Sequence, residues 1–155
     1  MSVNSAVFSN LQSINPSAII ELFTLQLSTS LHGSNDIFRF HAGSSLNANG
    51  EIVWDGDSYL RFPIQVSGFA FQKGQLPRPK MTVSNAGVIP GSGIISAILL
   101  SVNETTAGND LTGATVTRIR TLAKFIDAVN FADNTNATAD PNAEFPREVY
   151  GVDRK

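Results

Sequence analysis

The two histidines, His32 and His41, are the side chains of this sequence that could act as general bases at neutral pH. A Ser/His/Asp arrangement can be drawn from His32, Asp36 and one of many serines. However, no serine lies in a Gly-x-Ser-x-Gly elbow, and no feature indicates an oxyanion hole. We therefore predict no catalytic residue, and we expect both histidines to be ordinary surface or interface residues.

The sequence gives little support to a metal or phosphate site. Glu51, Asp55 and Asp57 could suggest calcium, but they lack the ordered ligands and the closing Glu of an EF-hand loop. Asp55 and Asp57 are better explained as residues of a hairpin turn. No Lys-Ser or Lys-Thr pair follows the glycines at 91–93, and the chain has no cysteine. We predict no metal ligands and no cofactor.

Four arginines stand among apolar residues of predicted strands, namely Arg61, Arg78, Arg118 and Arg120. In one interpretation they lie on a solvated strand face, with their stems on apolar neighbours. In the other they form an ion pair or a hydrogen-bonded anchor between subunits, since arginine is enriched at interface hot spots. The sequence leaves both interpretations open.

Length, composition and net charge exclude several classes of protein. A length of 155 residues with 42% apolar residues predicts one domain with a real core. Charged residues make up only 15%, and such a surface is easier to bury against a partner. The net charge of −2, without a basic run, argues against general nucleic-acid binding. No apolar stretch is long enough for a transmembrane helix, and no signal peptide is apparent, so we expect synthesis in the cytosol.

Periodicity predicts a mainly β fold. Val7, Phe8, Leu11 and Ile14 form one stripe, which predicts either a core helix over 5–14 or an arm that becomes helical on a partner. A second helix is predicted near 93–102. The predicted strands cover 18–28, 37–41, 51–54, 58–62, 68–72, 79–84, 114–129 (one strand, or two in line) and 145–150. Residues 130–145 read as a loop or tail. The expected architecture is an antiparallel barrel-like or sandwich-like sheet (α+β) with these helices alongside.

The stretch from Trp54 to Phe69 is the most informative part of the chain. Asp55-Gly56 is a strong two-residue hairpin signal. We expect Trp54 and Tyr59 to pack across this hairpin as an aromatic pair. The candidate core or interface positions are Trp54, Tyr59, Arg61, Arg78 and Phe125.

Three blocks of the sequence resemble the minor tail protein L family of lambda-type bacteriophages. The first joins Trp54-x-Gly56-x-x-Tyr59 to Pro63-Ile64-Gln65-x-Ser67-Gly68-Phe69, the second is Arg78-Pro79-x-x-Thr82-Val83-Ser84-Asn85, and the third runs from Gly113-x-Thr115-Val116 through Ala123–Phe131 to Ala139-Asp140-Pro141. They keep the family's order over about 18–145, most of the chain.

The resemblance implies a structural virion protein of the tail tip, without enzymatic activity. Such proteins form homo-oligomers around the tail axis and link the tail tube and distal ring to the tip attachment protein J. They support tail assembly and leave a passage for DNA. Rings close through head-to-tail contacts, which exposed strand edges and the loops 103–112 and 130–145 could provide. The mild negative charge suits a lumen that does not hold DNA tightly.

One departure from the family pattern concerns metal. Lambda-type relatives carry a C-terminal segment with four cysteines that is associated with an iron–sulfur cluster, whereas this chain has no cysteine. Metal binding therefore does not carry over. The expectation is one hub domain over 1–155, either the N-terminal part of a longer product or a short form.

Two other functions stay open at this stage. A carbohydrate- or surface-binding β module would use an exposed Trp54 beside Asp55 and Asp57 as a sugar platform. A small hydrolase would use His32 or His41.

Overall fold

The computed structural model describes residues 4–43, 51–62, 64–70, 73–83, 88–89, 93–94 and 111–153. In these ranges the chain is mainly β, as predicted. The helices are α1 (Ser5–Leu11) and α2 (Thr29–His32), and two 3-10 turns follow at Ala123–Phe125 and Ala128–Asn130. The strands are β1 (Ile19–Gln26), β2 (Ile37–His41), β3 (Glu51–Trp54), β4 (Asp57–Arg61), β5 (Ile64–Ser67), β6 (Lys80–Val83), β7 (Val88–Ile89), β8 (Gly93–Ile94), β9 (Thr115–Leu122) and β10 (Glu148–Gly151).

Six strands form the main sheet, in the order β10-β9-β1-β2-β4-β3. All pairs are antiparallel except β2 and β4, where Phe40 faces Leu60 in a parallel register. The pairs β5–β6 and β7–β8 are separate two-stranded ladders. The antiparallel pattern expected from the sequence therefore holds apart from one parallel contact.

The main sheet has an apolar core on each face, because alternate residues of a strand point to opposite sides. On one face, Phe23 and Leu25 of β1 pack with residues of β2 and β5, and we call this the β5-side core. On the other face, Leu22 packs with Trp54, Tyr59 and the 3-10 turn at Phe125, and we call this the helix-side core. Burial on both faces explains the near-continuous apolar run of β1.

The N-terminal helix forms as predicted, although it buries little of its apolar stripe. The Asn4 side chain caps it by accepting the Ala6 N–H at 2.9 Å, and it donates to the Asn142 carbonyl at 2.8 Å. Val7 is fully buried in the helix-side core, but Phe8, Leu11 and Ile14 remain exposed. Periodicity identified the helix correctly, whereas the extent of its burial depends on contacts distant in the sequence.

The strand predicted over 114–129 is too long, because β9 ends at Leu122. A 3-10 turn follows, and it lets the neighbours Phe125 and Ile126 both enter the helix-side core. An extended strand would point two adjacent residues to opposite faces. The loop predicted over 130–145 lies at 131–147, because the last strand begins at Glu148 and not at Phe145. It is held to β9 by the Thr121 hydroxyl, which donates to the Ala143 carbonyl at 2.6 Å.

Two further predictions need correction. The strand expected over 68–72 lies earlier, as β5, and the described residues 68–70 are not extended in a ladder. The helix expected near 93–102 is wrong at its start, because Gly93–Ile94 pair with Val88–Ile89 as strands. The remaining residues of that prediction, and 103–110 of the predicted loop, lie outside the described residues. None of the described helices combines the length and apolar character needed to cross a bilayer.

Candidate functional site

The predicted hairpin is present, and its turn has the expected conformation. Asp55 and Gly56 have φ angles of 51° and 81°, the positive values that a type I′ turn requires. Trp54 and Tyr59 both lie in the helix-side core, 1% and 3% exposed. They are diagonal neighbours, because Tyr59 faces Ile52 and Trp54 faces Asp57. The two aromatic residues expected to pack across the hairpin therefore lie diagonally across it, in the same core.

Asp127 and Asn130 hold this hairpin from outside, and we call them the hairpin clamp. The Asp127 carboxylate accepts the Asp55 N–H at 3.0 Å and the Gly56 N–H at 2.8 Å. The Asn130 side chain accepts the Val53 N–H at 2.7 Å and donates to the Val53 carbonyl at 2.7 Å. Asn130 is buried, so its amide replaces a neighbouring strand at this position of β3.

The two edges of the main sheet consequently differ. At the β3 edge, the hairpin clamp occupies the outward backbone groups of Val53. At the β10 edge, the Val152 N–H donates to the Ala114 carbonyl, so the backbone groups of Val152 point toward β9. The direction of the backbone N–H and carbonyl groups alternates along a strand, so those of Val149 and Gly151 point away from β9. The Val149 side chain is 63% exposed. Among the described strands, none pairs with this outer side of β10. A strand edge that offers backbone donors and acceptors is a template for another strand.

An ion-pair network crosses the strands next to that edge. The Arg118 guanidinium contacts Glu21 at 2.9 Å and Glu148 at 3.3 Å, and it lies 4.1 Å from the centre of the Phe69 ring. Arg120 also binds Glu148, at 2.9 Å. The Arg118 side chain is only 13% exposed. The network therefore ties β1, β9 and β10 together and fixes the position of the open edge.

A cleft of about 220 Å³ adjoins β10 on the face of the sheet that carries the β5-side core. Apolar side chains form most of its wall, namely Leu25, Phe69, Pro79, Met81, Leu111, Val116 and Val152. The exposed Asp153 also lines it.

The five candidate core or interface residues fall into two groups. Trp54, Tyr59 and Phe125 are buried in the helix-side core, whereas Arg61 and Arg78 are exposed. Neither of these two arginines forms a salt bridge within the described part of the chain. Arg118 and Arg120, the other arginines noted from the sequence, form the ion-pair network within one chain. A role for any of these residues between subunits stays a prediction.

Both histidines are buried, which corrects the surface position expected for them. His32 is 2% exposed, and its Nδ1 accepts the Ser28 N–H at 2.9 Å. Its Nε2 lies 3.1 Å from the Thr112 carbonyl, to which the neutral ring donates. His41 is fully buried at the end of β2. The ring nitrogens of His32 thus fasten two backbone segments instead of facing a substrate.

The acidic residues of the hairpin have structural partners as well. Asp57 lies 3.5 Å from the Arg39 guanidinium, and Glu51 accepts the Ser58 hydroxyl at 3.4 Å. No group of three or more potential ligands that could hold a metal occurs in the described ranges. Because Trp54 is buried, it offers no platform for a sugar.

Sequence reasoning missed the partners that act at long range. Asp127 and Asn130 belong to one of the resembling blocks. Asp127 contacts Asp55 and Gly56 of the block that contains Trp54, and Asn130 contacts Val53, the residue just before that block. Their Asp-x-x-Asn spacing after a strand was the available signal, but it did not indicate which backbone groups they bind. The carboxylates Glu21 and Glu148 were likewise not singled out.

Comparison with known proteins shows similarity to phage tail proteins. A family model described as phage minor tail protein L matches residues 30–155. The chain is also similar to the tail tip protein L of Escherichia phage lambda, with 37% identity over 108 residues. That alignment covers 68% of this chain and 41% of the lambda protein, so the chain spans less than half of that relative.

Proposed function

This chain belongs to the phage minor tail protein L family, and from that premise we propose that it is a hub subunit of the tail tip. A structural role in a phage tail follows from the family itself. In this proposal, copies of the chain assemble around the tail axis. They connect the tail tube and distal ring to the tip attachment protein J.

The unequal edges of the main sheet carry this proposal. A ring closes only through heterologous contacts, in which two different surfaces of the subunit meet. The clamped β3 edge resists strand addition, while the open β10 edge invites it. Because the β3 edge is closed, a neighbour that joins the sheet at β10 does so with a segment other than β3, and such a contact joins two different surfaces of the subunit.

The low charge of the chain supports the same proposal. Charged residues account for 15% of the sequence, and charge is depleted from interface cores. The net charge of −2 is compatible with a lumen through which DNA passes without being held. We place the protein at the virion tail tip after synthesis in the cytoplasm of the host, as one hub domain.

No cofactor or reaction enters the proposal. The family resemblance implies cysteine ligands for an iron–sulfur cluster, and the given sequence has no cysteine, so its residues do not fit a cluster held by thiolates. The sugar-binding alternative loses its central residue, since Trp54 is buried. The buried His32, held at both ring nitrogens, gives no support to a hydrolase.

Complementation in the phage tests the proposal directly. A phage with a nonsense mutation in the gene for this chain should form no infectious tails, and plasmid-borne wild-type chain should restore them. Antibody labelling of an epitope-tagged chain should mark the tip of the restored tails in electron micrographs. Normal tails without the chain, or label elsewhere on the particle, would overturn the tail-tip assignment.

A further inference from the structure

Basic and acidic residues are concentrated in different parts of this chain. Residues 64–83, which contain the β5–β6 ladder, hold three basic residues, Lys73, Arg78 and Lys80, and no acidic residue. Residues 125–144 hold four acidic residues and no basic one. The chain as a whole is almost neutral, with a net charge of −2, so the two regions are opposite in sign although the protein is not strongly charged.

The basic region covers one face of the main sheet. Ile64 of β5 is buried in the β5-side core. Alternation along the strands turns Lys80 and its cross-strand partner Ser67 to the other side of the ladder, where both are exposed. Lys73 and Arg78, between the two strands, are exposed as well. We call this outer side of the ladder, with its three basic residues, the basic face.

The acidic region covers the opposite face of the same sheet. Phe125 and Ala143 lie in the helix-side core, so this part of the chain packs on the side away from the β5–β6 ladder. Asp133 is exposed on it, and Asp140 is partly exposed. We call residues 125–144 the acidic loop.

The two regions carry charges that are not paired within the subunit. In the described ranges, Lys73, Arg78 and Lys80 form no salt bridge, and neither do Asp133 and Asp140. The other two carboxylates of the acidic loop are engaged, one in the hairpin clamp and one in an ion pair of 2.8 Å. Surfaces on opposite faces of one sheet cannot meet within a subunit, but they can meet between two copies.

Each region also exposes an aliphatic side chain. Leu76, between Lys73 and Arg78, is 84% exposed, and Val129, in the acidic loop, is 50% exposed. The core of a protein–protein interface is apolar and depleted of charge, whereas charged residues lie in its rim. The two regions therefore offer apolar contact area in addition to opposite charges.

We propose that the basic face of one copy docks against the acidic loop of the next copy, so that the subunits follow one another head to tail. Two different surfaces meet in this contact, as ring closure requires. The contact uses the two faces of the main sheet and leaves its β10 edge accessible to a further segment. This inference rests on the proposed assembly of the chain as a homo-oligomer.

The acidic loop is the reason to assign the basic face to a second copy and not to DNA. Affinity for a phosphate backbone rises with the number of phosphates neutralised, and three cations neutralise few. A second copy in head-to-tail order, in contrast, always presents Asp133 and Asp140. DNA binding by the basic face predicts a different result on charge reversal, namely tails of normal number that eject DNA poorly.

Charge reversal tests the contact in phage complementation. Arg78→Glu with Lys80→Glu reverses the basic face, and Asp133→Lys with Asp140→Lys reverses the acidic loop. Each of these variants should lower the titre of infectious phage by about tenfold or more, because like charges then meet. A chain with all four substitutions should recover titre, since every contact again joins opposite charges, whatever the number of copies in the ring.

Controls separate the contact from effects on folding. Asp36→Lys reverses an exposed charge outside both regions, so it should leave titre unchanged. Circular dichroism and thermal unfolding of each variant should match the wild type, which excludes a folding defect. Wild-type titre for either two-substitution variant, or no recovery with all four substitutions, would overturn the contact.

Carbodiimide cross-linking locates the contact in tails of the unaltered chain. The reagent joins a lysine amine to a carboxylate that it touches, so Lys80 or Lys73 should link to Asp133 or Asp140. A link between copies gives a covalent dimer on a denaturing gel, and mass spectrometry of its peptides identifies the linked residues. Tails with Lys73→Arg and Lys80→Arg keep the charges but lack these amines, so they should keep their titre and lose the dimer. Dimers linked through other residues, or Lys80 linked to a different tail protein, would overturn the contact.

The two proposals fail in different ways. If the wild-type chain labels the tail tip but forms no such dimer, the docking is wrong and the tail-tip assignment stands. If reversal of the basic face gives normal tails that eject DNA poorly, the basic face contacts DNA and the second copy is excluded. If the wild-type chain is missing from tails altogether, the proposed function fails, and this contact fails with it.

Discussion

The Asn130 amide pairs with both backbone groups of Val53, accepting its N–H and donating to its carbonyl at 2.7 Å each. The two residues lie 77 positions apart in the sequence. Asn130 also donates to the Asp127 carbonyl at 2.8 Å, which fixes the side chain in the 3-10 turn. One side chain thus closes a sheet edge that would otherwise be open to strand addition.

Asn130→Ala should destabilise the fold by about 2–3 kcal/mol, because it leaves Val53 without partners and removes a buried side chain. Urea unfolding gives the free energy. Asn35→Ala, at an exposed asparagine, is the matched control and should change stability by less than about 0.5 kcal/mol. We also expect Asn130→Ala to aggregate more readily than the control, since the β3 edge becomes available. Equal stability of the two variants would show that the clamp is dispensable.

Asp127→Ala should cost about 1–3 kcal/mol, since hydrogen bonds to a charged acceptor are stronger than neutral ones. Asp127→Asn keeps one acceptor oxygen, so its cost should be smaller. Hydrogen exchange locates the effect, because the amides of Asp55 and Gly56 should lose protection in both variants. Unchanged exchange at these two amides would contradict the hydrogen bonds to Asp127.

Local chemistry explains why the hairpin was predictable and its clamp was not. The Asp55-Gly56 turn depends on the backbone preferences of two adjacent residues, which can be read directly from the sequence. The bonds from Asp127 to that turn cross 71 and 72 positions, and no local pattern encodes such a distance. The same limit applies to α1. Periodicity predicts a helix there, but it does not show that Val7 alone, of the four residues in the apolar stripe, is buried in the core.

The adjacent apolar residues Phe125 and Ile126 did not reveal the break after β9. A strand that is buried on both faces also contains adjacent apolar residues, as β1 does at Leu22 and Phe23. The burial of His41 has no signal in the sequence either, because an alternating strand assigns it to a face without showing what covers that face. Arg78 and Arg118 also have similar apolar neighbours in the sequence. Arg78 is nevertheless exposed, whereas the Arg118 side chain is largely buried in an ion-pair network, with 13% of its surface exposed.

Trp54→Ala should destabilise the protein by about 3–5 kcal/mol, the usual cost of truncating a buried aromatic residue. Within the described part of the chain, the indole Nε1 of Trp54 is buried without a hydrogen-bond partner. Trp54→Phe removes that donor and keeps most of the apolar contact, so it should cost less than about 2 kcal/mol. Circular dichroism during urea unfolding compares the variants without needing tryptophan fluorescence. A near-neutral Trp54→Ala would show that this residue does not support the core.

Arg118→Lys should cost about 1–3 kcal/mol, because lysine cannot bind two carboxylates with a planar fork while lying over the Phe69 ring. Arg61→Lys is the control, at an exposed arginine without a salt bridge in the described ranges, and should stay within about 0.5 kcal/mol. A double-mutant cycle with Glu148→Gln then measures the coupling between the two residues. Independent effects in that cycle would rule out the ion-pair network as a cooperative unit.

The two tyrosines give a pH dependence with a defined sign. Burial, followed by the nearby Asp57 carboxylate, raises the pKa of Tyr59 above its usual value of 10.0. Burial, followed by its hydrogen bond to Glu148, also raises the pKa of Tyr150 above 10.0. The folded protein therefore holds both phenolic protons more tightly than the unfolded chain does. The stability from these groups is fully present below pH 10.0 and is lost as pH rises through the raised values.

Ultraviolet titration of phenolate should place the native midpoint above 10.0, and denaturant should return it to about 10. Urea unfolding from about pH 8 to about pH 11 should show stability falling at the alkaline end. Tyr59→Phe should reduce that fall, because phenylalanine has no proton to lose, and Tyr150→Phe should reduce it through the other tyrosine. A native midpoint at or below 10.0, or an alkaline loss that survives in the double variant, would show that these phenols do not cause it.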